Sequence, residues 1–358
     1  MYAVASAFIW TLILGLFPAL MVWGKNMTCC SNDLAMAGAR FRLNSDNNML
    51  MMVHPHKGGG TSLCALLKTD AKNKFGRNKN CNIKMEPFEG SKVKKSFDKG
   101  ILGAPHLLSL LSPEVARTTL HTATLTLINP FLGATWWPDT MAPHEVYARV
   151  KATGRTAFAL EFSSVPSSFG LGSPNYRASA TMRRWVLVTI MRHPVERIIS
   201  QFFYSKKEKN LSSKYASVLE WAQNNRTTAH VRNFYTMLFS SQPNMFSKSY
   251  TETPMTVVEL ARARTTLSHF SVVFILERFE EGLPLLHSYL GLKVPAILPH
   301  GNKNTEKDSH RVSQADYDEL LRMNQLDMDL YRYAQELHDC RLANLEYTQK
   351  MGKLPGEC

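Results

Sequence analysis

An unbroken apolar and largely β-branched run, Trp-Val-Leu-Val-Thr-Ile-Met over Trp185–Met191, leads directly into Arg192, His193 and Pro194. A run of this kind suits a parallel strand covered on both faces, and sheets built from such strands belong to α/β architectures. His193-Pro194 fits a helix N-cap followed by proline at the first helical position. Val195, Ile198, Ile199, Phe202 and Phe203 then recur at helical spacing and give one buried face. A second stretch of the same kind lies upstream. Met49 to Val53 reads as a short buried strand, although its pattern alone also admits a helix. His54 to Gly60 is turn-rich, and Thr61 to Leu67 reads as the first turns of a helix. The expected fold class is α/β, a P-loop-like parallel sheet flanked by helices.

Ligands of open α/β sheets bind beyond the carboxyl ends of the strands. The residues of these two turns are therefore the candidate site. In the first, Gly58, Gly59 and Gly60 let the backbone approach a ligand closely and take positive φ. N–H groups at a helix start, with the helix dipole, favour an anion. Lys57 adds a cation, and Thr61 and Ser62 add hydroxyl donors. By composition this is a phosphate cradle, though not a Walker A loop, which puts its lysine after the glycines. The plain alternative is a glycine-rich turn without a ligand. In the second turn, Arg192 and Ser200 are candidates to hold a second phosphate. The alternative there is that Arg192 pairs with a carboxylate and Ser200 is merely small.

The pair K-x-G-G-T-S (57–62) and R-x-P-x-x-R-x-x-S (192–200) resembles the 5′-phosphosulfate and 3′-phosphate motifs of sulfotransferases that use PAPS (3′-phosphoadenosine 5′-phosphosulfate). The likeness is greatest to the Golgi carbohydrate sulfotransferases, including the heparan sulfate 2-O-sulfotransferase group. Phe274–Phe279 and Asn324–Ala334 are similar to later segments of that family. His56 stands where the family usually has proline, and His193 where it more often has an acidic residue or asparagine. The resemblance implies transfer of a sulfuryl group to a hydroxyl, a reaction that needs positioning, charge stabilisation and a base. Lys57 and the amides of Gly58 to Ser62 would stabilise charge on the leaving phosphate. Arg192 and Ser200 would hold the 3′-phosphate, with Lys303 in the loop Pro299–Thr305 a further candidate contact. Glu161 is the candidate general base, with His144 and His106 as rivals. No metal is expected. His54 and His56 invite a zinc reading, but no further clustered ligands follow them.

The net charge of +13 fits an anionic cofactor and an anionic acceptor. No zinc-finger spacing or aromatic RNA-binding motif appears, so nucleic acid is not an expected partner. Residues 68–99 hold ten Lys and Arg against four Asp and Glu, either as a solvated insertion or as a wall for the acceptor. The length of 358 residues suffices for one large domain with extensions. The expected division is a membrane-spanning helix over 1–24, a stem over 25–48, the catalytic domain over 49–346 and a loose tail over 347–358. Residues 1–24 carry no charged side chain and are long enough to cross a bilayer. A cleaved signal peptide is the competing reading. Lys25, Arg40 and Arg42 follow the span and none precedes it, which argues against a lumenal C-terminus. Acceptor sites for glycosylation at Asn26, Asn210 and Asn225 and the Golgi resemblance argue for one. The expectation is a single-pass Golgi membrane protein with its catalytic domain in the lumen.

Strands are expected at 49–53, 157–163, 185–191 and 272–276. A helix is expected over Glu280–Leu290, and a last long helix opens on a capping box at Ser313. Six cysteines suit an oxidising compartment. Cys64 reads as a buried thiol, and the other five are open to bridges whose pairing cannot be read from sequence. Two other function classes remain open: a P-loop-type kinase, and a catalytically inactive relative that binds anionic glycans.

Overall fold

The computed structural model describes residues 49–68, 81, 143–152, 154, 156–160, 171, 185–209, 215–224, 231–240, 255–290 and 312–351. Within them β1 (Met49–Val53), β2 (Ala157–Leu160), β3 (Trp185–Met191) and β4 (Val272–Ile275) form one sheet in the order β2-β1-β3-β4. All its pairings are parallel. Met49–Val53 is a strand and not a helix, because it is paired on both sides: Met51 lies opposite Phe158 of β2 and Leu187 of β3. β1 and β3 coincide with the expected strands. β4 stops one residue short of expectation, where Leu276 begins a 3-10 turn over Leu276–Arg278. Residues 161–163 and the expected 1–24 span lie outside the described residues.

Every residue of the four strands is buried. That is why their sequences are continuous apolar runs instead of alternating ones. Met49, Met51, Val53, Phe158, Leu187, Met191 and Ile275 face one layer of the core. Leu50, Met52, Ala159, Val186, Val188, Ile190 and Phe274 face the other. Each fully buried side chain of this size stabilises by roughly 1.5–3 kcal/mol relative to exposure.

The helices are α1 (Gly60–Leu67), α2 (Pro143–Ala152), α3 (Pro194–Lys209), α4 (Val218–Gln223), α5 (Phe234–Phe239), α6 (Val257–Ser268), α7 (Leu283–Leu290), α8 (Gln314–Met323) and α9 (Gln325–Met351). The first face of the sheet is covered by α2, α5, α6 and α9, and the second by α1 and α7. A third cluster joins α3, α4 and α8 beside the sheet through Ile198, Phe202, Trp221 and Leu320.

Four local details differ from the sequence reading. The expected helix over Glu280–Leu290 opens as a 3-10 turn, Glu280–Gly282. Pro284 has no N–H to offer the Glu280 carbonyl in α geometry, and the Leu283 N–H takes it instead. Ser313 does cap α8, accepting from the Asp316 N–H at 3.1 Å. The helix it starts breaks at Asn324, whose side chain donates to the Leu320 carbonyl at 2.9 Å. α9 then runs to Met351, past the boundary expected at 346. Cys64 is not a thiol: it is disulfide-bonded to Cys81, tying α1 to a residue whose carbonyl accepts from the Ala159 N–H of β2 at 2.9 Å. Cys340 is disulfide-bonded as well.

Candidate active site

The strand order places the two turns together. From β1 the chain goes to β2 on one flank and later enters β3 on the other, so β1 and β3 form a topological switch point. Val53 lies opposite Thr189 in the register. His54–Gly60 and Arg192–His193 therefore leave the carboxyl edge of adjacent central strands.

The first turn is a compact loop. The Gly58 N–H donates to the Pro55 carbonyl at 2.8 Å. Lys57 has φ 64° and Gly59, the cap of α1, has φ 100°. The three glycines turn out to serve the loop's own packing. A Cβ on Gly58 would lie 2.9 Å from the Pro55 carbonyl oxygen and 3.2 Å from that of Ile190. On Gly59 it would meet Leu276 at 2.7 Å, and on Gly60 the His54 ring at 2.0 Å. His54 itself is buried. The loop is thus pressed onto the ends of β3 and β4 with no room for side chains, and α1 begins at its end with a dipole suited to an anion. The Lys57 ammonium lies 3.0 Å from the centre of the Tyr204 ring on α3, and the His56 ring meets the same tyrosine edge-on at 5.7 Å. Thr61 is exposed and Ser62 partly so.

The second turn is held from behind. Arg192 is only 6% exposed. Its N–H donates to the Tyr235 oxygen at 3.2 Å, and the Tyr235 hydroxyl donates to the Arg192 carbonyl at 2.8 Å. One phenol thus clamps the backbone of the residue that ends β3. Burial raises the Tyr235 phenol well above its ordinary pKa, so it stays protonated. The Arg192 guanidinium approaches Glu196 at 3.5 Å, a long ion pair that leaves most of its donors uncommitted to that carboxylate. Ser200, two turns along α3, is partly exposed and makes no side-chain hydrogen bond among the described residues. The His193 N–H donates to Glu277 at 2.8 Å, and the other oxygen of Glu277 accepts from the Tyr331 hydroxyl at 2.8 Å. Burial, reinforced by the Arg192 charge and opposed by Glu277, lowers the pKa of the His193 ring.

Behind both lies a buried polar knot. The Asp327 carboxylate accepts from the N–H groups of Tyr235 at 2.9 Å and Thr236 at 2.8 Å, capping α5 from another helix. The Arg197 guanidinium, 1% exposed, lies 4.5 Å from the centre of the Phe234 ring. Burial raises the Asp327 pKa despite the two amides and Arg197, and lowers that of Arg197.

The structure brings Lys57, Gly58, Gly59, Gly60, Thr61 and Ser62 to the same sheet edge as Arg192 and Ser200. His144 is exposed on α2. Glu161, Lys303 and His106 lie outside the described residues. Among the described residues no group of three or more His, Cys, Asp or Glu could hold a metal ion. Sequence reasoning missed Tyr235, Glu277, Asp327 and Tyr331. The last three stand in the segments 274–279 and 324–334 that carried the family likeness, and only that placement hinted at them.

The charge and the helix starts at this edge suit an anion. After β1 the edge presents a cationic loop opening α1, and after the neighbouring β3 an arginine just before α3 with a serine two turns along that helix. In open α/β frames such an edge, at the carboxyl ends of the strands, is where ligands bind. The family model described as the sulfotransferase family matches residues 138–334, just over half of the chain, and the chain belongs to that family. The match includes Arg192 and Ser200 and begins downstream of Lys57, so the loop Lys57–Ser62 joins the site through the fold alone. No curated protein matches the chain.

Proposed function

We propose that this sulfotransferase uses PAPS and transfers its sulfuryl group to a hydroxyl of an anionic glycan in the Golgi lumen. One observation carries the reading: the turn bearing Lys57 and the turn bearing Arg192 follow the adjacent strands β1 and β3, an arrangement suited to one ligand with two separate phosphates. The donor set fits that ligand, with Lys57 and the start of α1 for one anionic end, and Arg192 and the partnerless Ser200 hydroxyl for the other. PAPS supplies the activated sulfuryl group when bound. Lys57 and the amides opening α1 stabilise negative charge held at the loop. Tyr235 and Glu277 hold the backbone at Arg192 and His193, so the guanidinium is aimed before any ligand arrives. Glu161, which follows the last residue of β2 in the chain, accepts the proton of the acceptor hydroxyl. The Cys64–Cys81 disulfide beside the loop supports an oxidising compartment, and the uncharged segment 1–24 supplies the membrane anchor. The basic surface supports an anionic acceptor.

The test is transfer of radiolabelled sulfate from PAPS to a panel of sulfated and unsulfated glycans, with Glu161→Gln in parallel. The reading expects label on at least one anionic glycan and loss of it in the variant. Label on tyrosine peptides or small phenols alone would replace the glycan assignment. ATP with Mg²⁺ giving phosphate transfer would replace the reaction.

A further inference from the structure

The proposed chemistry leaves unexplained why the loop lysine meets an aromatic ring. Lys57 reaches its position from a left-handed backbone conformation, φ 64°, and its ammonium lies 3.0 Å from the centre of the Tyr204 ring. The ring receives a second contact from the same loop, the edge-on His56. Tyr204 follows Ser200 by one turn of α3, so the two share a helix face. The ring is 37% exposed, so it stands at the surface and is not a member of the core. A lysine side chain is long and costly to order. A cation over a tyrosine face is attracted by the ring quadrupole, and the attraction needs no hydroxyl.

We infer that Tyr204 is a positioning residue for the reaction: its ring face holds the Lys57 ammonium on the side of the phosphate loop that faces Ser200, so that the cations of both turns are in place before the nucleotide binds. This rests on the sulfotransferase reading for its consequence, but not for the contact. The ring acts through Lys57 and itself touches no reacting atom.

The experiment compares Tyr204→Phe, Tyr204→Leu and Tyr204→Gln in the full-length chain in detergent. Two readouts are taken: the acylation rate of Lys57 by acetic anhydride, read by mass spectrometry, and the affinity for PAP, the desulfated nucleotide. Tyr204→Phe keeps the ring and should match the parent in both. Tyr204→Leu and Tyr204→Gln should raise Lys57 acylation about threefold to fivefold and weaken PAP binding by a similar factor. Unchanged acylation in both ring-less variants, or equal PAP affinity in all three, would overturn the assignment. If the parent binds no PAP while Lys57 acylation rises as stated, the positioning contact stands and the sulfotransferase reading of the site falls.

Discussion

A single buried hydroxyl, that of Tyr235, fixes the direction in which Arg192 leaves the sheet. Replacing Tyr235 with Phe keeps the ring and removes both bonds to Arg192. The loss leaves a buried carbonyl without its donor, at a cost of about 1–3 kcal/mol. Urea unfolding should show that loss, and PAP affinity should fall with it. Gly60→Ala tests the loop: the new Cβ would lie 2.0 Å from the His54 ring, so the ring must leave its buried place. Overpacking of this kind costs about 1–3 kcal/mol, and the unfolding midpoint should drop accordingly. The sequence led to Lys57, Arg192 and Ser200 because each sits in a contiguous motif. It did not lead to Tyr235, whose bond to Arg192 spans 43 residues that share no pattern. It pointed to the glycines through the ligand alone and did not show that a Cβ on each would also meet Pro55, Leu276 or His54.

Among the elements, α5 and α1 depend on distant anchors. Asn233, at the start of α5, makes no side-chain cap bond, and Asp327 of α9 takes the Tyr235 and Thr236 amides instead. Asp327→Ala removes that cap and the carboxylate electrostatically coupled to buried Arg197. Leaving the Tyr235 and Thr236 amides without their acceptor costs about 1–3 kcal/mol each. Thermal unfolding should show a loss well beyond that of an exposed helix cap. α1 is secured by the Cys64–Cys81 bridge across a sequence separation of 17. A loop of that length contributes about 3 kcal/mol in the chain-entropy account, so Cys81→Ala should lower stability by about that amount. Strands were readable in the sequence because double-sided burial leaves an unbroken apolar run. The break at Asn324 was not, because it depends on Asn233, whose N–H the Asn324 side chain accepts at 2.8 Å.

At the scale of the whole molecule, one buried and two half-buried histidines make stability depend on pH. Burial lowers the pKa of His193, His269 and His338 from the ordinary 6.5. His338 is fully buried, with its Nδ1–H donating to the Val273 carbonyl of β4 at 2.9 Å. Below 6.5 the unfolded chain binds protons at these residues that the folded chain refuses, so stability falls as pH falls through that value towards the lower folded pKa values. Denaturation midpoints should decline from pH 7 to pH 5, and less steeply in His338→Gln. The same scale decides the function, because the claim is that two turns far apart in sequence form one site through β1 and β3. Calorimetric titration of PAP into the full-length chain in detergent, beside Lys57→Ala and Arg192→Ala, tests this most directly. The account predicts one PAP per chain at micromolar affinity, with each variant weakening it by about 2 kcal/mol, roughly thirtyfold. Folded protein that binds no PAP, or binds it equally well without Lys57 and without Arg192, would contradict the account.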